Sequence, residues 1–69
     1  MVTIISWKQG FNKVRFNKLL RTHTSLSLSE AKEQVDLLLD GKKIDIYVLE
    51  DLEEEFRESA RKLGAVVDS

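Results

Sequence analysis

The sequence predicts an α+β fold, a small two-layer sandwich in the order β-α-α-β-α-β with a three-stranded sheet and three helices on one face. Three observations predict it. Segments with helix-start signals carry apolar residues at helical spacing. Short β-branched segments separate them. The length of 69 residues leaves room for only one small core. Residues 1–69 are therefore expected to form a single domain.

The amino-terminal part of the chain predicts a strand followed by a helix. Residues 2–8 are rich in β-branched and aromatic side chains, which is typical of a strand. Asn12 is a suitable N-cap for a helix over residues 13–23. Phe11 and Phe16 have the spacing of a hydrophobic staple across its start. The apolar stripe of this helix consists of Phe16, Leu19 and Leu20.

A second helix start follows closely. The sequence from Ser27 to Glu30 fits the S-x-x-E capping box, so a helix is predicted from Leu28 onward. Gly41 can adopt the left-handed conformation that commonly ends a helix. The predicted inward face consists of Leu28, Ala31, Val35 and Leu38.

The remaining elements are a strand, a helix and a final strand. Residues 44–48 alternate apolar and polar side chains, which indicates a half-buried strand. Glu50 and Asp51 open the third helix, where negative charge is favourable, and Gly64 ends it. Ala65–Val67 forms the last strand. The predicted inner face of the third helix consists of Leu52, Phe56, Ala60 and Leu63.

Composition excludes several classes of site. The chain has no Cys, which excludes disulfides and thiolate metal sites. No segment is long and apolar enough to span a membrane, and the first residues lack the basic start and cleavage site of a signal peptide. A cytoplasmic protein without membrane contact is therefore expected.

Catalytic, metal and cofactor sites are not predicted. His23 is the only histidine, and a lone histidine is most often structural or solvated. The acidic run from Glu53 to Glu55, with Glu58, is interpreted as a solvated helix face, because consecutive helical positions diverge and cannot converge on a metal ion. We therefore expect neither an enzyme nor a cofactor.

The net charge of −1 conceals an asymmetry. Residues 1–34 carry six basic and two acidic residues, whereas residues 35–69 carry five basic and ten acidic ones. A basic region on a slightly acidic chain favours an acidic protein partner over a nucleic acid. The second helix also carries Glu30, Glu33 and Asp36, which would repel phosphates. Charge alone is equally consistent with two solvated faces of opposite sign.

One apolar residue of the first helix lies off its core stripe. Val14 shares the outer face with Asn17, Lys18 and Arg21, and Lys13 is adjacent. An exposed apolar residue among cations is a candidate docking spot. A single exposed valine is also an ordinary surface feature.

A run without gaps from Gly10 to Val35 carries a resemblance to a known family. Its matching residues are Gly10-Phe11-Asn12-Lys13-Val14, Lys18, Arg21, Thr24, Leu26, Leu28, Glu30-Ala31-Lys32 and Val35, followed later by Gly64-Ala65. They resemble the C-terminal domain of the bacterial ribosomal stalk protein, an acidic large-subunit protein present in several copies. The resemblance extends over nearly the whole chain, from about Val2 to Asp68.

This resemblance implies the same fold and a docking function. The family domain captures translational GTPases, such as elongation factors Tu and G, initiation factor two and a release factor. It brings them to the ribosome and helps to stimulate GTP hydrolysis. Asn17 stands where the family has an aliphatic residue of the contact face. The partner-binding positions that the resemblance implies are Lys13, Val14, Asn17, Lys18, Arg21 and Lys32.

A second hypothesis uses the same face on a different protein. The 69 residues leave no room for the dimerisation segment and hinge of a stalk protein, so we expect the domain without them and slightly favour a monomer. Such a free-standing relative would be an adaptor, an inhibitor or an immunity-type partner. A helix-pair nucleic-acid binder is the third hypothesis.

Overall fold

The computed structural model describes residues 1–68. It confirms the predicted α+β fold and the order of its elements. Two of the three predicted strands are longer than the observed ones at their carboxyl ends, since the first strand ends at Trp7 and the second at Ile46. The elements are β1 (Val2–Trp7), α1 (Lys13–His23), α2 (Leu28–Leu39), β2 (Ile44–Ile46), α3 (Glu50–Lys62) and β3 (Ala65–Val67).

The sheet is antiparallel, with β1 in the centre and the order β2-β1-β3. Its inward residues join one buried core, while the outer face is exposed and includes a hydrogen bond of 2.7 Å from the Thr3 hydroxyl to Asp45. The β1–β3 register shifts between Ile4 and Ser6. This bulge inserts one residue and pairs Trp7 with the buried Ala65, while 40% of Trp7 stays exposed. The Trp7 ring centre lies 6.2 Å from that of Phe11.

Helix α1 begins as the sequence predicts. The Asn12 side chain accepts a hydrogen bond of 3.0 Å from the Arg15 backbone N–H. The staple is also present, because the ring centres of Phe11 and Phe16 lie 5.2 Å apart. The predicted stripe of Phe16, Leu19 and Leu20 is buried.

Helix α2 has the predicted capping box, with reciprocal hydrogen bonds between Ser27 and Glu30. Ala31, Val35 and Leu38 are buried as predicted. The prediction for Leu28 is wrong, because 62% of this residue is exposed. Leu28 is the first residue of α2 and lies beyond the end of the buried stripe.

Helix α3 runs antiparallel to α1, as contacts at the two ends of α1 show. At one end the Asn12 N–H donates to the Leu63 carbonyl at 2.9 Å. At the other end His23 Nε2 lies 2.7 Å from Glu55 Oε2. Phe56 and Ala60 are buried, and Leu52 and Leu63 are partly buried against the same core.

Gly64 connects α3 to β3 at a crowded point. Its φ of +99° lies in the left-handed region, which is disfavoured for residues with a side chain. An added Cβ would lie 3.0 Å from the Phe11 Cα. The glycine therefore allows the end of α3 to approach the turn before α1.

The core combines aliphatic residues of all six elements with a series of neighbouring aromatic rings. Phe16 is fully buried, and its ring centre lies 6.4 Å from that of Phe56. Both rings belong to helices that cover the sheet. No helix within residues 1–68 is long and apolar enough to cross a membrane.

Candidate functional site

A groove of about 350 Å³ lies between α1 and α2 and holds most of the predicted site. We call it the α1–α2 groove. Five of the six predicted residues line it, and Lys18 does not. The five are Lys13, Val14, Asn17, Arg21 and Lys32.

The apolar part of the groove comes from both helices. Val14 on α1 is 73% exposed, and Leu28 at the start of α2 is 62% exposed. Two further apolar residues of α2 line the groove. Val35 is buried, and Leu39 is half-buried. The groove therefore presents a small apolar surface of four side chains instead of the single exposed valine expected from α1.

The charged part of the groove is predominantly basic. Lys13, Arg21 and Lys32 line it with one carboxylate, Asp36. None of these three cations forms an ion pair with another residue of the described part of the chain. Their charge is consequently available to an anionic group that approaches the groove.

Asn17 positions one of these cations. Arg21 Nε donates a hydrogen bond of 2.8 Å to Asn17 Oδ1, one helical turn earlier. This bond uses one donor of the guanidinium and leaves its terminal nitrogens free to contact a carboxylate. At this position an aliphatic residue would add apolar area, whereas Asn17 holds Arg21 along the groove.

Lys18 lies on the other side of α1, in a cleft between α1 and α3. We call it the α1–α3 cleft. Its volume is about 510 Å³, and it is lined by Arg15, Lys18, Thr22, Ser59 and Lys62 above Leu19 and Leu63. The two rows of α1 follow from helical geometry, because residues 14, 17 and 21 share one face and residues 15, 18 and 22 share the next.

His23 links α1 to α3. Its Nε2 contacts Glu55 Oε2 at 2.7 Å, and its Nδ1 lies 2.8 Å from the Thr22 hydroxyl. The ring centre is 6.1 Å from that of Phe56. Both ring nitrogens are therefore occupied by neighbouring side chains.

The acidic face of α3 is largely solvated, as the sequence predicts. Glu54, Glu55 and Glu58 are exposed, and Glu53 is half-buried. Glu53 contacts Arg57 at 3.3 Å and the N-terminal ammonium of Met1, and Glu55 contacts the histidine described above. The pKa of Glu53 lies below its ordinary value, mainly because Glu53 accepts a hydrogen bond from this ammonium group. Among residues 1–68 no group of three or more His, Asp or Glu residues is arranged to hold a metal ion.

Four groove residues on α2 were not predicted as part of the site: Leu28, Val35, Asp36 and Leu39. From the sequence, Leu28 and Val35 are expected in the core, and Asp36 is expected only to repel phosphates. A signal was present, since Leu28, Lys32, Val35, Asp36 and Leu39 recur at helical spacings of three and four. This spacing identifies a face of α2, but the sequence does not show that this face lies beside α1.

Comparison of the chain with protein-family models, with curated proteins and with solved structures finds no match.

Proposed function

We propose that the protein is a non-enzymatic docking module that binds an acidic segment of a partner protein in the α1–α2 groove, and that its partners are translational GTPases. The observation that carries the proposal is the combination of exposed apolar residues with unpaired cations in one groove. Val14 and Leu28 provide the apolar surface. Lys13, Arg21 and Lys32 surround it.

The two parts of the groove have different physical effects. Exposed cations attract an acidic partner over a Debye length of about 8–10 Å and increase the rate of encounter. Val14 and Leu28 become buried only when the partner is in place, so they mainly slow its dissociation. Nine residues line the groove, whereas a standard stable protein interface uses roughly 20–30 residues on each side, so the groove supports transient binding.

Asp36 adds specificity to this arrangement. Asp36 is the single carboxylate among the described residues of the groove. It repels an acidic residue of the partner that comes near it and attracts a basic residue. An acidic segment with one well-placed cation therefore fits better than a uniformly acidic segment.

The identity of the partner rests on the resemblance. The run from Gly10 to Val35 supplies Lys13, Val14, Arg21 and Lys32 of the groove, at positions that match the contact face of the stalk domain. This correspondence makes elongation factors Tu and G the first partners to test. An adaptor-type or inhibitor-type function would use the same groove on another acidic protein.

The proposal is tested by titrating purified elongation factors Tu and G, each with bound GTP analogue, into the protein at low salt. We expect saturable binding that weakens as the salt concentration rises. The double variant R21E/K32E should weaken binding by about tenfold or more, because both charge-assisted contacts become repulsive. The matched control K42E/K43E makes the same change of charge outside the groove and should retain most of the affinity.

The outcomes test separately the identity of the partner and the location of the binding site. Absence of binding to either factor at low salt would reject translational GTPases as partners. Equal loss in R21E/K32E and in K42E/K43E would reject the groove as the binding site, because only net charge would then matter. Lys18→Glu shows whether a bound partner also crosses α1 to reach the other side of the helix.

A further inference from the structure

The α1–α3 cleft is a second basic surface that the docking proposal does not explain. Its volume of about 510 Å³ falls in the range of small-ligand sites, roughly 300–1,000 Å³. The polar rim is formed by side chains of α1 and α3, and Leu19 and Leu63 form its apolar base. It opens on the opposite side of α1 from the α1–α2 groove.

The rim residues belong to two facing rows. Arg15, Lys18 and Thr22 are spaced by three and four residues and lie on one face of α1. Ser59 and Lys62 are three residues apart on α3 and lie on the face that meets it. Because the helices are antiparallel, Lys62 near the end of α3 lies opposite Arg15 near the start of α1.

The charges in the cleft are all positive. Arg15, Lys18 and Lys62 line it, and no carboxylate among residues 1–68 does. None of the three forms an ion pair with a residue in the described range 1–68. Three cations around one space repel each other, and a multiply charged anion between them relieves that repulsion. An arginine fork together with lysines is well suited to the oxygens of a phosphate group.

One hydroxyl of the cleft is available to a ligand. The Thr22 hydroxyl already donates to the Leu19 carbonyl at 3.1 Å. The Ser59 hydroxyl forms no hydrogen bond with another side chain in the part of the chain that the structure describes, although Ser59 is half-buried. Ser59 can therefore donate its proton to an anionic oxygen in the cleft.

We infer that the α1–α3 cleft binds a small molecule that carries a phosphate or diphosphate group. Arg15, Lys18 and Lys62 contact the phosphate oxygens, and Ser59 donates a hydrogen bond to one of them. Leu19 and Leu63 contact the uncharged remainder of the molecule. A monocarboxylate ligand is a poorer fit, because it carries one negative charge where the cleft offers three cations.

The test uses the ¹⁵N-labelled protein and ¹H–¹⁵N correlation spectra at constant low ionic strength. The probes are inorganic pyrophosphate, adenosine diphosphate and adenosine. We expect saturable shifts at the amides of Lys18, Ser59 and Lys62 with the first two probes and none with adenosine. Equal affinity for pyrophosphate and the nucleotide indicates recognition of the phosphates alone, and tighter nucleotide binding indicates that the apolar base also contributes.

Matched variants decide whether the cleft is responsible. Lys62→Glu should weaken pyrophosphate binding about tenfold, because it removes one charge-assisted contact and introduces repulsion. Ser59→Ala should weaken it by a smaller factor, about threefold. Lys43→Glu, an equal change of charge at an exposed residue before β2, should leave the affinity within about twofold. Unchanged spectral dispersion in each variant confirms that the fold is retained.

Three results would overturn the inference. The first is the absence of saturable shifts with pyrophosphate. The second is shifts of similar size at Lys42 and Lys43, which would indicate attraction to positive charge anywhere on the surface. The third is an equal loss of affinity in the Lys62 and Lys43 variants. Lys62 is outside the α1–α2 groove, so none of these results bears on binding of a protein partner.

Discussion

Substitution of Leu28 separates a binding role from a structural one. Leu28 is 62% exposed at the mouth of the α1–α2 groove. Complete burial of a leucine side chain contributes about 1.5–3 kcal/mol. The buried part of Leu28 therefore contributes at most about 0.6–1.1 kcal/mol to folding, and the exposed part leaves about 0.9–1.9 kcal/mol that a bound partner can gain.

The predicted effect of Leu28→Ala on binding is larger than its effect on folding. The affinity for a translational GTPase should fall by a factor of about 5–25. The free energy of unfolding in urea should fall by no more than about 1 kcal/mol, with an unchanged dependence on urea concentration. Binding is measured by calorimetric titration and stability by chemical unfolding, both on the same preparation.

Leu49 provides the matched control. It is 65% exposed, almost the same as Leu28, but it precedes α3 and lies outside the groove. Leu49→Ala should therefore have a similar small effect on stability and leave binding within about twofold. Equal affinities of the two variants would refute the assignment of Leu28 to the binding surface. A loss of stability above about 2 kcal/mol in Leu28→Ala would show that the leucine belongs to the core after all.

Three further predictions concern the fold. Phe16→Ala should remove about 3–5 kcal/mol, which is a third or more of the stability of a 69-residue domain, about 3–10 kcal/mol. Thermal unfolding should show a transition at a much lower temperature, and an unaltered transition would contradict the core assignment. Gly64→Ala should destabilise more than Gly41→Ala, because both glycines have positive φ but only Gly64 has backbone 3.0 Å from an added Cβ; comparison of their unfolding midpoints checks this. Hydrogen bonds from Ser27, chiefly from its backbone, hold the pKa of Glu30 below its ordinary value. The unfolded chain therefore binds more protons than the folded one. The contribution of Glu30 to the free energy of unfolding is consequently lost as the pH falls through the lowered pKa. Glu30→Gln should therefore flatten the acid side of the stability curve below about pH 5, and an unchanged slope would exclude Glu30 as its source.

The order of the elements could be predicted because local signals and tertiary contacts agree. Asn12 and the Ser27 capping box specify helix starts through bonds within a few residues of the chain. The bulge in β1 has no such local signal. It depends on how β3 aligns with β1, which is a contact between residues far apart in sequence.

The site was predicted less completely for a geometric reason. Helical spacing makes Lys18 a neighbour of Val14, four residues earlier, and also of Arg15, three residues earlier. Only the positions of α2 and α3 decide which neighbour it joins, and the structure places Lys18 with Arg15 in the α1–α3 cleft. Leu28 was assigned to the core for a related reason, because spacing gives the face of a residue but not how far the core extends along the helix.

The segregation of charge explains how α1 can border two basic surfaces in a chain with a net charge of −1. Three of the eleven residues of α1 are buried, which leaves one exposed row of residues on each side of the core stripe. Cations in these rows contribute little to folding, since they form no ion pairs in the described part of the chain and exposed charges contribute little. The compensating carboxylates are concentrated in the first turns of α3, where the helix dipole favours them. The chain can therefore keep unpaired cations on both sides of one helix and still avoid the strong net positive charge that favours unspecific binding to nucleic acids.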